Sequence, residues 1–334
     1  MALTQAQKRL IAQARLPSAG MLGIGLDDST SIYLVATIVR DLDLYKQFPE
    51  LPSDFPGFFD ERDPRNLKFS GIDFQVLIER LLTIEPDADT YFVCLATLQK
   101  ARLKYARILE YQPLPTMDQV GPRALLQYGQ MRAESLAGFL LWRKWLFDID
   151  NRAGQKTGYL FEPIVASAIG GVSFSAGKSP IRRRTDLSKG RQVDCIREQY
   201  AYEIKLRVTI AASGQGRWYE ELEFPLDCRT SGFIPVLIVF DPTPNAKLTE
   251  LIAAFESARG ETYVGEAAWE HLEKAAGRAM SIFIEKYVKA PLSHTLEFQA
   301  DQLPDIGFRM TEDSFVVTVG EETTVYARTK KEEM

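Results

Sequence analysis

Histidine is nearly missing from this chain: His271 and His294 are the only two in 334 residues. That scarcity excludes a three-histidine metal site within one chain and argues against a catalytic histidine pair. Acid–base chemistry then falls to carboxylates and lysine. Cysteine is almost as rare. Cys94, Cys195 and Cys228 are too few and too scattered for a disulfide framework or a zinc knuckle, and a reducing, cytoplasmic compartment is the expectation. No apolar run approaches the roughly 18 residues of a membrane helix. The first residues lack the basic start, apolar middle and small-residue cleavage site of a secretory signal. There is no P-loop, and Gly23-x-Gly25 lacks the third glycine of a dinucleotide fingerprint. ATP-driven action is therefore not expected.

What is present is an ordinary globular composition, 46% apolar and 25% charged, over a length that suggests two domains. The net charge is −5, but the charge is unevenly placed. Between Gly177 and Arg217 lie ten basic and four acidic residues, a local +6 that leaves −11 for the rest. An acidic chain with one basic segment points to a local anion site. A solvated loop with spare charge is the other reading of that segment.

The first 150 residues read mainly as helices, with a proline-broken connection over 49–65. Met131–Phe147 has strong helical spacing, and a separate helical stretch is expected around Tyr159–Ile169, ending in Gly170-Gly171. After Asn151 the character is mixed. The run GFIPVLIVFD, Gly232 to Asp241, reads as a buried central strand. Gly320-Glu321 reads as the turn of a C-terminal hairpin. The expected organisation is a helical region over 1–150 and an α/β core over 151–334, with a mixed central sheet flanked by helices. His271, in AAWEHLEK, reads as exposed helix surface.

The segment RQVDCIREQYAYEIKLRV, Arg191 to Val208, concentrates the chemistry. Folded as a hairpin about Glu198-Gln199, it sets Asp194 opposite Glu203, with Cβ atoms roughly 4.5–5.5 Å apart. Asp194, Glu203, Lys205 and Arg207 then share one face. Val193, Cys195, Tyr202, Ile204, Leu206 and Val208 share the other, which suits a core. A slip of one residue would separate the two carboxylates. Two opposed carboxylates repel unless a positive charge sits between them, and Mg²⁺ is commonly held by one or two carboxylates with water and phosphate. Lys205, two residues beyond Glu203, can hold a water and stabilise charge developing on phosphorus. Glu-x-Lys is also what a solvated strand face carries. Cys195, on the core side, reads as a small buried hydrophobe.

Asp194…Glu203-x-Lys205 resembles the active-site signature of the PD-(D/E)xK nuclease superfamily, with Val193 in the place of its proline. The likeness covers roughly Gly158 to Asp241. Taken whole, the chain looks like a type II restriction endonuclease. The stretch YEIKLRVTIAASGQGRWYEELEFP resembles the ApaLI-like family. The resemblance implies a restriction-endonuclease-like α/β core and Mg²⁺-dependent cleavage of double-stranded DNA at a short, palindromic site. It implies metal ligands at Asp194, Glu203 and the Ile204 carbonyl, Lys205 on the attacking water, and 5′-phosphate and 3′-hydroxyl ends. An upstream helix of such enzymes often supplies a further acid, and Glu162 matches that position. Its other reading is an acid at a helix N-terminus just before Pro163.

DNA would lie along the carboxylate face. Lys178, Arg182, Arg183, Arg184, Lys189, Arg191 and Arg207 are candidates for phosphate, and Gln215 and Arg217 for bases. Trp218 reads as a packing residue. A palindromic cutter implies a homodimer and a cognate methyltransferase in the same system. A structure-specific or repair nuclease of the same fold, or a non-catalytic DNA-binding protein, remains open on the sequence alone.

Overall fold

The computed structural model describes residues 3–17, 23–60, 64–205, 208, 215–311 and 313–327, the side chains of 153–160, 215–217, 296 and 300 excepted. Six helices come first: α1 (Gln5–Arg15), α2 (Asp28–Asp41), α3 (Phe74–Ile84), α4 (Ala88–Tyr111), α5 (Met117–Gln127) and α6 (Ala133–Ala168). Then follow β1 (Val172–Phe174), β2 (Arg182–Arg183), β3 (Asp186–Gly190), β4 (Val193–Arg197) and β5 (Tyr200–Lys205). Beyond them run α7 (Gln215–Thr230), β6 (Ile234–Val239), α8 (Ala246–Ser257), β7 (Glu261–Val264), α9 (Glu266–Ile284) and α10 (Ala290–Leu296). The chain closes with β8 (Ile306–Met310), β9 (Ser314–Val319) and β10 (Glu322–Ala327). Among the described residues no helix is long and apolar enough to cross a membrane.

The chain divides into two compact units. One comprises Met1–Arg15, Asp27–Thr97 and Leu160–Thr295; the other comprises Leu16–Leu26, Leu98–Tyr159 and Leu296–Met334. In the second unit the antiparallel sheet β10-β9-β8 presents aromatic side chains to α6. Trp145 and Phe315 are buried with ring centroids 4.5 Å apart, and Trp142 stacks on Phe308 at 5.3 Å. The turn between β9 and β10 falls at Gly320-Glu321, and Gly320 takes a φ of 56° there. Glycine reaches that left-handed conformation without steric cost.

The first unit is built on the five-stranded sheet β1-β4-β5-β6-β7. β1–β4 and β4–β5 are antiparallel, while β5–β6 and β6–β7 are parallel. The apolar run expected to be central is β6, whose residues Val236 to Val239 are fully buried. Neighbouring residues of a strand point to opposite faces, and different helices cover the two. Ala201, Leu237 and Val239 pack with Phe224 and Cys228 of α7 and Leu251 and Phe255 of α8. Tyr202, the next residue along, meets His271 of α9, Nε2 lying 3.3 Å from its hydroxyl. His271 is thus half-buried rather than exposed, because Tyr263 of β7 stacks on it at 4.0 Å. The N-terminal helices join this unit through Asp41, at the end of the buried helix α2. Its carboxylate accepts from Tyr91 at 2.9 Å, from Lys286 at 2.8 Å and from the Tyr287 hydroxyl.

Two helices run through a proline. α6 continues through Gly154, Gly158 and Pro163 to Ala168, so no new helix starts near Tyr159. α7 continues through Pro225 to Thr230. A proline inside a helix removes one backbone bond. At Pro225 the buried Phe224 and Cys228 lie on either side of it, and their packing outweighs that loss.

α7 also fastens the basic hairpin β2–β3. Arg183 pairs with Glu220 at 2.7 Å, Arg184 with Glu223 at 2.5 Å, and Arg191 with Asp227 at 2.8 Å. Asp227 accepts the Arg184 backbone N–H as well, at 2.7 Å. The Arg191–Asp227 pair is out of water, with side chains 8% and 3% exposed. Truncating one member of a buried pair strands the other charge. Asp227→Ala is therefore expected to lower stability by about 3–5 kcal/mol in urea unfolding. A loss below about 1 kcal/mol would mean the pair behaves as a surface contact.

Candidate active site

The β4–β5 hairpin has the register expected from its alternation. Cys195 pairs with Tyr202, Ile196 with Ala201 and Arg197 with Tyr200, across a turn at Glu198-Gln199. Glu198 takes a φ of 54° to close it. The ladder stops at Cys195–Tyr202, one step short of Asp194 and Glu203, and β4 is bulged against β1 over the same stretch. There the Asp194 side chain takes over from the backbone: its Oδ2 accepts the Ile204 N–H at 2.8 Å. Ser173 of β1 donates to the Asp194 carbonyl at 2.6 Å. β5 is an interior strand, with Glu203 beside Leu237 and Lys205 beside Val239 of β6. The backbone carrying Asp194, Glu203 and Lys205 is thus fixed on both sides. Cys195 is fully buried and its thiol is pushed up to about 12, chiefly by burial, so it fills core and is no nucleophile.

The electrostatics are lopsided. Asp194 is only 8% exposed. Burial, then the charges of Glu203 and Glu162, hold its carboxyl well above the ordinary value of 3.8; the Ile204 N–H and Lys205 offset this only in part. Glu162, on α6, is therefore close enough to act on Asp194. It sits inside a continuous helix, so the reading of it as an N-terminal acid does not hold. Lys205 Nζ lies 3.0 Å from Glu203 Oε1 and 3.4 Å from Glu221 Oε2. Burial alone would lower the Lys205 pKa, but Glu203 and Glu221 raise it, and it stands above the ordinary lysine value. Three carboxylates, those of Glu203, Glu221 and Asp194, thus act on one ammonium.

Glu221, on α7, went unread in the sequence. The signal was there: Glu220, Glu221, Glu223 and Asp227 make an acidic run on the helix that follows the active-site strand. The sequence alone could not say which of them faces Lys205.

The basic candidates separate into two groups. Arg191 is buried on Asp227 and serves the fold. Lys178 and Arg182 are exposed, Lys189 pairs locally with Asp186 at 3.1 Å, and Arg183 and Arg184 are held by α7. Trp218 packs as expected, donating to Glu250 at 3.0 Å beneath the Lys247 ammonium. Arg207 lies outside the described residues, as do the side chains of Gln215 and Arg217.

Among the described residues, no three acidic, imidazole or thiol groups are set so as to enclose a metal ion. The donor set still suits a hard divalent cation. Mg²⁺ takes one or two carboxylates, completing its shell with water and phosphate, and the raised Asp194 marks a place short of positive charge.

That shortage has a measurable sign. The folded chain binds the Asp194 proton more tightly than the unfolded chain does. Between the ordinary carboxylate range and the raised folded value the folded state holds more protons, so stability falls as pH rises through that window. Asp194→Asn can still accept the Ile204 N–H but carries no charge. It should unfold at a higher temperature than the unsubstituted protein at neutral pH without added metal, with the gain vanishing at acid pH. An equal melting temperature at neutral pH would refute the charge imbalance.

The model of the ApaLI-like restriction endonuclease family matches residues 58–289. The chain is also 54% identical over 223 residues to the type II restriction enzyme ApaLI of Acetobacter pasteurianus, a match covering 65% of this chain. It spans 60% of the length of that relative. No solved structure matches. The matched region includes the hairpin, α7 and the rest of the central sheet, and on that extent the chain belongs to the ApaLI-like restriction endonuclease family.

Proposed function

We propose that this protein is a type II restriction endonuclease. It hydrolyses phosphodiester bonds of double-stranded DNA at a short palindromic site, requires Mg²⁺, and leaves 5′-phosphate and 3′-hydroxyl ends. The observation that carries this reading is the trio on the β4–β5 hairpin: buried Asp194 on the Ile204 N–H, Glu203 near enough for its charge to act on Asp194, and Lys205 held 3.0 Å from Glu203. Family membership supports it, as does the name of the Acetobacter enzyme.

Asp194, Glu203 and the Ile204 carbonyl are the groups that would hold Mg²⁺. When bound, the ion supplies positive charge to the scissile phosphate and lowers the pKa of a water. The chain's own groups do the rest. Lys205 presents N–H donors to the attacking water and to the charge developing on phosphorus. Glu162 lends a further carboxylate from α6. Lys178, Arg182, Arg183, Arg184 and Lys189 bracket phosphates, and Gln215 and Arg217, at the start of α7, meet base edges. Cleaving both strands of a palindrome calls for a homodimer acting in the cytoplasm, and a cognate methyltransferase protects the host's own sites.

Digestion of plasmid and phage DNA tests the reading. Discrete fragments are expected with Mg²⁺ and none with EDTA, and Lys205→Ala should cut about 10²–10³-fold more slowly while binding DNA unchanged. A smear with the same requirements would exclude site-specific cutting. No cleavage of linear or branched DNA would leave a binding protein.

The basic hairpin gives a second test. Its arginines face Glu220 and Glu223 until phosphate replaces those acids. Glu220→Gln combined with Glu223→Gln should tighten binding of non-cognate DNA in metal-free buffer. It should also steepen the salt dependence by about 0.9 in log–log slope for each phosphate gained. An unchanged slope would remove Arg183 and Arg184 from the DNA contact.

A further inference from the structure

We infer that Glu221 is a positioning residue for Lys205 in the cleavage reaction. The inference rests on the proposed role of Lys205 at the attacking water. Lysine has a flexible four-carbon stem and a point charge, so its aim is set by what its ammonium touches. Here it touches two carboxylates from different elements, Glu203 at 3.0 Å on its own strand and Glu221 at 3.4 Å on α7. Glu203 is also a group that would hold a cation, and an oxygen given to a cation is drawn away from the ammonium. Glu221 has no such second duty, so it keeps Lys205 in place from the side facing α7.

Glu221 is itself well fixed. Its neighbours Glu220, Glu223 and Asp227 grip Arg183, Arg184 and Arg191, while Phe224 and Cys228 anchor the same helix in the core. Successive helix positions turn by about 100°, so one helix offers acids to the basic hairpin and a separate acid to the active site. A shift of α7 would therefore move both.

The test compares Glu221→Ala, Glu221→Gln and the unsubstituted enzyme under single-turnover conditions with saturating DNA. Glu221→Ala should lower the cleavage rate by about 10–100-fold, the scale of a reacting group misplaced by about an ångström. DNA affinity and the Mg²⁺ concentration giving half-maximal rate should not change. Glu221→Gln keeps an acceptor oxygen at the same reach and should recover most of the rate. It also serves if the alanine variant folds poorly. A readout independent of cleavage is the labelling of Lys205 by an amine-reactive ester, followed by peptide mass spectrometry. Glu221→Ala should speed labelling of Lys205 and of no other lysine.

A raised Mg²⁺ requirement would make Glu221 a metal ligand instead and overturn the inference. So would an unchanged rate in Glu221→Ala, or unchanged Lys205 labelling. Were Lys205→Ala to cleave as fast as the unsubstituted enzyme, the reading of the site itself would fall, and the inference with it. A slow Lys205→Ala beside a fast Glu221→Ala would sink only the inference.

Discussion

A carboxylate removed from water beside two others is a large local liability, and Asp194 is in that position. Folding leaves it with one backbone N–H, that of Ile204, and with the ammonium of Lys205 in the neighbourhood. Such a charge could be relieved by protonation, by exposure or by a cation. Exposure is already largely withheld, since the Asp194 side chain is held on the Ile204 N–H and the residue is buried. Protonation and cation binding remain, and they compete for the same oxygens. The site therefore stores an unmet demand for positive charge. Active sites concentrate local costs of this kind, which the surrounding structure must over-determine.

The over-determination comes largely from α7. One of its acids meets Lys205 and three others meet the basic hairpin. The Arg191–Asp227 pair is buried, so the hairpin cannot separate from the helix without leaving a naked charge in the interior. Gly190 adds a steric condition at the same place. A Cβ there would come within 1.9 Å of the Ala176 carbonyl oxygen, so only glycine lets the chain pass. The sheet positions β5 with Glu203 and Lys205, and α7 sets the charge environment at its end.

The hairpin could be read from sequence because its signal is local and of period two. Burial of Tyr202 and Ile204 fixes the register up to Cys195–Tyr202, and beyond it the Asp194 carboxylate holds the Ile204 N–H, next to Glu203. β6 was legible as an unbroken apolar run and Cys195 as core, for the same reason. What escaped the sequence depends on partners far along the chain. His271 looked like surface until Tyr263 and Tyr202 came to cover it. Glu162 before Pro163 looked like a helix start because local propensity favours one there, whereas α6 runs through that proline. Glu221 lies 16 residues beyond Lys205, across a segment with no periodic signal, and nothing local points it toward the site.

The basic segment shows why a charge count differs from a charge surface. Its +6 along the sequence suggested a free anion site. In the folded chain much of that charge already faces Glu220, Glu223 and Asp227. On the proposed DNA contact, a phosphate approaching Arg183 or Arg184 must exchange with a carboxylate, so the net gain per contact is smaller than for a bare arginine. Exchange of this kind weakens binding to any DNA that supplies phosphates alone, while leaving base contacts untouched. Discrimination between sites then improves through loss of the non-specific share. In the proposed function the acids of α7 would thus work in the same direction as base recognition, without touching a base.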